Sequence, residues 1–201
     1  MKGPIQPALV ETLRQGLAKV NRERQPAGAI VILDSHGGDG LAAIEAGRLL
    51  REARAHVFVR GRCASACLFI FAGGEVRAAP EGAIGMHRAR ITRRIGDGPA
   101  TTVVADEDAR AARLLEEGNR RVRAYFEEMG FGPAVYEAMM QVPADETRNA
   151  TRAELTALGL LADDARARAA QRAQDECLPE AKGSTQFARC YRRLAAESSP
   201  R

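Results

Sequence analysis

Between residues 28 and 90 the chain alternates short apolar runs with amphipathic stretches, and this alternation restricts the available folds more than any other feature. "GAIVILDS" (28–35) is apolar and rich in β-branched residues, the pattern of a buried strand. "HGGDG" follows as a glycine turn, and "LAAIEAGRLLREARA" (41–55) carries apolar residues at helical spacing. "HVFVRG" (56–61) reads as a second strand and "SACLFIFAGG" (65–74) as a buried helix closed by glycines. "GAIGMHRAR" (82–90) opens as a third strand. This succession predicts an α/β fold with a parallel sheet and right-handed βαβ crossovers.

The flanking segments read differently. Leu9, Leu13, Leu17 and Val20 fall on one helical face near the start. The polar, glycine-containing segment 91–103 predicts an exposed loop, and 105–129 predicts one long helix with a charged surface. "MGFGP" breaks that helix, and a short one with Val135, Met139 and Met140 follows, ended by Pro143. Thr151 and Glu154 form a capping-box pair ahead of a helix that Gly159 closes. From 163 onward the chain is rich in Ala, Arg and Gln, and Pro179, Gly183 and Ser184 predict a helical hairpin whose turn is flanked by Cys177 and Cys190. The organisation is an α/β domain over 1–164 and a C-terminal helical extension over 165–201.

Composition narrows the function classes. The chain has 201 residues with 30 basic and 26 acidic side chains, a net charge of only +4. The arginines of "RARITRR" and "GNRRVR" are scattered with little aromatic interleaving, the pattern of a solvated basic face and not of a nucleic-acid surface. No apolar run approaches the roughly 18 residues of a membrane-spanning helix. The start, "MKGPIQPALVETLRQG", lacks the apolar central region of a signal peptide.

The chemistry gathers where strands end. In an open parallel sheet, ligands bind beyond the carboxyl ends of the strands, and "SHGGDG", "RCASAC" and "GMHRAR" all fall there. Ser65 stands at a strand-to-helix turn, as a nucleophile or as a helix N-cap. The N–H groups of Gly38 and Ala66 are placed to bind an oxyanion, and glycine at 37 and 38 lets backbone approach a substrate. His87 is the candidate base, and His36 reads as a loop residue. Cys63 and Cys67 admit three readings: small buried hydrophobes, a disulfide, or zinc ligands with His36 and His87. Cys177 and Cys190 read as a staple across the C-terminal hairpin.

The run from "ILDSHGG" through "GRCASACLFIFAGG" to "GAIGMH" resembles the Clp protease proteolytic subunit and its wider Clp/crotonase superfamily. Ser35-His36-Gly37-Gly38 is similar to the family's S-P-G-G, Ala64-Ser65-Ala66 to its nucleophile segment, and Met86-His87 to the strand end bearing its base. "TRAELTALGLLAD" is similar to its closing segment, and helix 105–129 to its projecting handle helix. The resemblance covers most of residues 3–164 in order and spacing. It implies a Clp/crotonase-type parallel β-sheet, with a serine hydrolase, most readily a serine peptidase, acting on a peptide or protein substrate. Ser65 would be the nucleophile and His87 the base, with an oxyanion hole at Gly38 and Ala66. No metal or other cofactor enters that chemistry, and the family's habit implies a homo-oligomer. The C-A-S-A-C form is closest to a bacterial group of Clp-like proteins read as periplasmic, which implies export and oxidised cysteines.

Three departures stand out. His36 replaces the family's proline, and the family's strand before the first glycine turn is either missing or lies ahead of a late start. The position of the family's third catalytic residue, an aspartate, falls on Thr147. Of the neighbouring carboxylates Asp145 and Glu146, Asp145 is the candidate to orient His87. A two-residue Ser-His site oriented by a backbone carbonyl, a catalytically degenerate scaffold, and a crotonase-like enzyme of acyl thioesters are the alternatives.

Overall fold

The computed structural model describes residues 1–22, 28–93, 101–103 and 108–198. After α1 (Ala8–Arg22), the chain runs β1 (Ile30–Ser35), α2 (Gly40–Glu52), β2 (His56–Ala64), α3 (Cys67–Gly73), β3 (Val76–Ala78) and β4 (Ile84–Met86). β2 lies at the centre, parallel to β1 on one edge and to β3 and then β4 on the other. The pairing of β1 with β2 slips between Leu33 and Ser35, which face Val59 and Cys63. The two extra residues on β2 form a bulge, where the Asp34 carboxylate accepts from the Arg62 N–H at 3.3 Å. Residues 1–5 run beside β1 through parallel bridges, Lys2 to Asp34 and Ile5 to Gly38.

One face of the sheet is covered by α1, α2 and α3. β2, α3 and β4 supply fully buried Val57, Val59, Leu68, Phe71 and Ile84 to this core. α2 and α3 approach so closely that a Cβ on Gly73 would sit 2.2 Å from the Gly47 carbonyl oxygen. α4 (Ala109–Glu128) buries Val122, Tyr125 and Phe126 near its C-terminal end, where the Tyr125 hydroxyl donates to the Phe69 carbonyl on α3 at 2.7 Å. Much of its remaining length is solvated. There Arg120 and Arg121 pair with Glu116 and Glu117, so these arginines engage glutamates of their own helix.

The segment 91–103, expected as an exposed loop, instead contributes β5 (Ile91–Arg93) and β6 (Thr101–Val103), paired antiparallel. Its ends are Ile, Thr and Val, which favour extended backbone; residues 94–100 and 104–107 lie outside the described residues. α5 (Pro133–Met140) follows α4, and then a strand not foreseen from the sequence, β7 (Arg148–Ala150), closes the sheet antiparallel to β4. Thr151 and Glu154 form the expected capping box at the start of α6 (Arg152–Ala157).

The C-terminal helices α7 (Ala165–Glu176) and α8 (Ser184–Glu197) form the expected hairpin, joined by a Cys177–Cys190 disulfide. They pack Phe187, Tyr191 and Leu194 against Phe58, Val76 and Ala78, covering the opposite sheet face. Phe58 meets Phe187 and Tyr191 edge-on, with ring centroids 4.7 and 5.0 Å away. At the rim of this layer, His56 is only 6% exposed. Arg166 donates to its Nε2 at 2.6 Å, and its Nδ1 lies 2.9 Å from the Tyr191 hydroxyl. A guanidinium can only donate, so Nε2 accepts and the ring proton sits on Nδ1. Burial, reinforced by the Arg166 charge, pushes the imidazole pKa down to about 4. Nearby Glu75 is held down to about 2, chiefly by its hydrogen bond from Arg54.

These shifts set an acid limit on the hairpin. Between the unfolded His value of about 6.5 and the folded value of about 4, the unfolded chain binds more protons. The neutral-His contribution is whole above that window and is lost as pH falls through it. Urea unfolding should therefore show a loss of roughly 2–3 kcal/mol between about pH 7.5 and 4.5 from this group. A His56→Gln variant, measured in parallel, should lack that part of the slope. Glu75 adds a further loss as pH falls from its unfolded value of 4.5 toward 2.

Candidate active site

Because β1, β2 and β4 are parallel, their carboxyl ends lie along one edge of the sheet. Ser35 ends β1, Ala64 ends β2 and Met86 ends β4. Ser65 and His87 each stand one residue beyond a strand end. The Ser65 N–H donates to the Gly85 carbonyl at 2.9 Å, tying the turn after β2 to β4.

Ser65 is not the N-cap of α3; that place belongs to Ala66, which makes no side-chain cap hydrogen bond. Ser65 instead has φ of 56°, one of two non-glycine residues with positive φ among the described residues. For an L-residue other than Asn or Asp this conformation is costly, on the order of 1–3 kcal/mol. The result is a sharp strand-to-helix turn in which Cys63, Ala64, Ala66 and Cys67 are buried and Ser65 alone is half-exposed.

The glycine loop after β1 rests on this turn. A Cβ on Gly37 would lie 2.7 Å from Ser65 Cβ, 2.8 Å from the Ala64 carbonyl oxygen and 3.1 Å from the Ala66 nitrogen. Gly37 has φ of 103° and Gly38 of 146°, both outside the reach of ordinary side chains. Ser35 Oγ accepts from the Gly37 N–H at 3.1 Å, and the Gly37 carbonyl accepts from the Ile5 N–H at 2.9 Å. Among the described residues the N–H groups of Gly38 and Ala66 have no hydrogen-bond partner. His36 is exposed on the same loop.

His87 is half-buried, and its Nδ1 lies 2.8 Å from the Arg88 carbonyl oxygen. A carbonyl only accepts, so Nδ1 carries a proton and donates it to Arg88, leaving Nε2 as the nitrogen that faces away from this bond. Among the described residues no hydrogen bond joins Ser65 to His87. Asp145 is exposed and neither bonds nor pairs with His87. The β4–β7 ladder runs from Ile84 opposite Ala150 to Met86 opposite Arg148, and His87 and Thr147 are the residues just beyond its end. Thr147 Cγ2 lies 2.7 Å from where a Gly85 Cβ would stand, so its methyl group covers the strand leading to the histidine. Strand β7 was missed because "RNA" has no apolar alternation, though its pairing is what places Thr147.

Cys63 and Cys67 are joined in a disulfide with Cα atoms 5.1 Å apart, both fully buried. The zinc and free-thiol readings of this pair are therefore superseded. Among the described residues no helix is long and apolar enough to cross a membrane.

No protein-family profile matches the chain, and no curated protein matches it. Solved structures do. A point mutant of the 1510-N membrane-bound stomatin-specific protease aligns with a TM-score of 0.56 at 14% identity, over 80% of this chain and 74% of that one. A point mutant of ClpP1 from Listeria monocytogenes aligns with a TM-score of 0.56 at 16% identity, over 80% of this chain and 85% of that one. The chain thus has the Clp protease-type α/β fold, as the sequence resemblance implied.

Gly37→Ala should put a Cβ into the Ser65 turn from a backbone that alanine rarely adopts. Thermal unfolding should show a destabilisation of about 1–3 kcal/mol. An unchanged Tm would mean that the two loops are not in contact.

Proposed function

We propose that the chain is a Clp-type serine peptidase that uses Ser65 as nucleophile and His87 as base. One observation carries this reading: Ser65 is held at positive φ, half-exposed in a buried turn, beside the Gly37–Gly38 loop. Ser65 Oγ attacks the scissile carbonyl carbon, and His87 Nε2 takes the hydroxyl proton. The unpartnered N–H groups of Gly38 and Ala66 receive the oxyanion. His87 then passes its proton to the leaving amine as the C–N bond breaks. Water, deprotonated by the same ring, releases the acyl group from Ser65. The Ser–His hydrogen bond closes with substrate bound, since such bonds are commonly long before it arrives.

In this reading the Arg88 carbonyl orients the imidazole, the role that the sequence pointed to for Asp145. Self-association is proposed by resemblance alone. Thr147, on which the position of the family's aspartate falls, favours a second reading, a catalytically silent scaffold of the same fold.

Labelling with a fluorophosphonate probe separates the two. The native chain should label, while Ser65→Ala and His87→Ala should lower the rate by about 10³-fold or more. Asp145→Asn should stay within about threefold, whereas loss of an orienting carboxylate costs about 10⁴-fold in a full triad. No labelling of the native chain favours the scaffold. Persistent labelling of Ser65→Ala removes Ser65 from the mechanism.

A further inference from the structure

The disulfide around Ser65 is unexplained by the mechanism, which needs neither sulfur. It joins Cys63, in the last turn of strand before the nucleophile, to Cys67, the first residue of α3. Ser65 is the middle residue of the closed five-residue segment. Other restraints act mainly on the strand side: the Cys63 N–H donates to the Ala83 carbonyl and the Ser65 N–H to the Gly85 carbonyl, both at 2.9 Å. On the helix side the Ala66 N–H is unpartnered among the described residues, while the Leu68 N–H donates to the Ser65 carbonyl at 2.9 Å and the Phe69 N–H to the Ala66 carbonyl at 3.1 Å. The S–S link is the one covalent cross-connection between strand end and helix start.

Global stability is a poor account of it. A disulfide constrains the unfolded chain more when it closes a longer loop. The sequence separation here is 4, against 13 for Cys177–Cys190, which ties α7 to α8 on the opposite sheet face. Both sulfurs sit in residues that are 0% exposed, so the pair is a packed part of the turn.

We propose that the Cys63–Cys67 disulfide is a positioning element of the Ser65 site, holding Ser65 in the left-handed turn that leaves its side chain accessible between buried neighbours. The inference rests on Ser65 being the nucleophile. Without the link, the turn relaxes toward ordinary right-handed or extended backbone, and the hydroxyl and the Ala66 N–H lose their common geometry. Catalysis, not folding, bears most of the loss.

The test compares Cys63→Ala/Cys67→Ala with Cys177→Ala/Cys190→Ala in the full chain. Three quantities are read: the fluorophosphonate labelling rate per folded molecule, the Tm, and amide exchange at Ser65 and Leu68. Loss of the Cys63–Cys67 link should slow labelling about tenfold or more, as release of a strained backbone conformation implies, and speed exchange at both amides. Loss of the Cys177–Cys190 link should lower Tm more, yet keep labelling within about twofold of native. Native-rate labelling or unchanged exchange without the Cys63–Cys67 link overturns the proposal. If the native chain itself fails to label, the peptidase reading falls, and exchange at Ser65 and Leu68 alone decides the clamp. Should the first variant not fold, the second is unfolded and refolded in dithiothreitol, which reaches the buried pair while the chain is open. That reductant gives two electrons and two protons to the Cys63–Cys67 pair and leaves as its own cyclic disulfide, so the same readouts apply.

Discussion

Two backbone loops touch where neither has room for another side chain. Gly37 lies against Ser65, Ala64 and Ala66 at distances that a Cβ would violate, and the site depends on that contact. It sets the loop after β1 against the turn after β2, brings the Gly38 and Ala66 amides to the same sheet edge, and leaves Ser65 half-exposed. The sheet makes the contact available, because parallel β1, β2 and β4 deliver three loops to one edge. The bulge on β2 shifts the register just before the turn, so that Ser35 comes to face Cys63.

The layers behind the site hold this edge in place. α3 begins at the turn and is gripped by α2 at the Gly47–Gly73 crossing and by the Tyr125 hydroxyl from α4. On the opposite face the C-terminal hairpin seals Phe58, at the start of the strand that ends in the nucleophile turn. β2 is thereby buried from both sides, and a rigid strand can hold a strained turn at its end.

Much of this was legible in the residues. The apolar runs at 28–35 and 56–61 and the glycines after them carried the β1–α2–β2 succession, because strands buried on both faces leave a continuous apolar signal. Thr151 with Glu154 marked a helix start through a mechanism local to four residues. The left-handed backbone of Ser65 was not legible: serine has no preference for it, and tertiary contacts impose it. The state of Cys63 and Cys67 stayed open for the same reason, since a spacing of four fits a thiol bond only when the intervening turn brings the Cα atoms to 5.1 Å. Strands β5, β6 and β7 are three residues each, too short for a periodic pattern. Asp145 was chosen by proximity in sequence, and in the fold it is exposed and makes no bond or ion pair with His87.

The central claim is that one strained turn unites a nucleophile with a backbone oxyanion hole. A crystal structure of the phosphonylated protein tests it most directly. The account predicts phosphorus bonded to Ser65 Oγ, with the phosphonyl oxygen about 2.7–3.1 Å from the Gly38 and Ala66 nitrogens. An adduct on another residue, or a phosphonyl oxygen turned to solvent away from both amides, would contradict it.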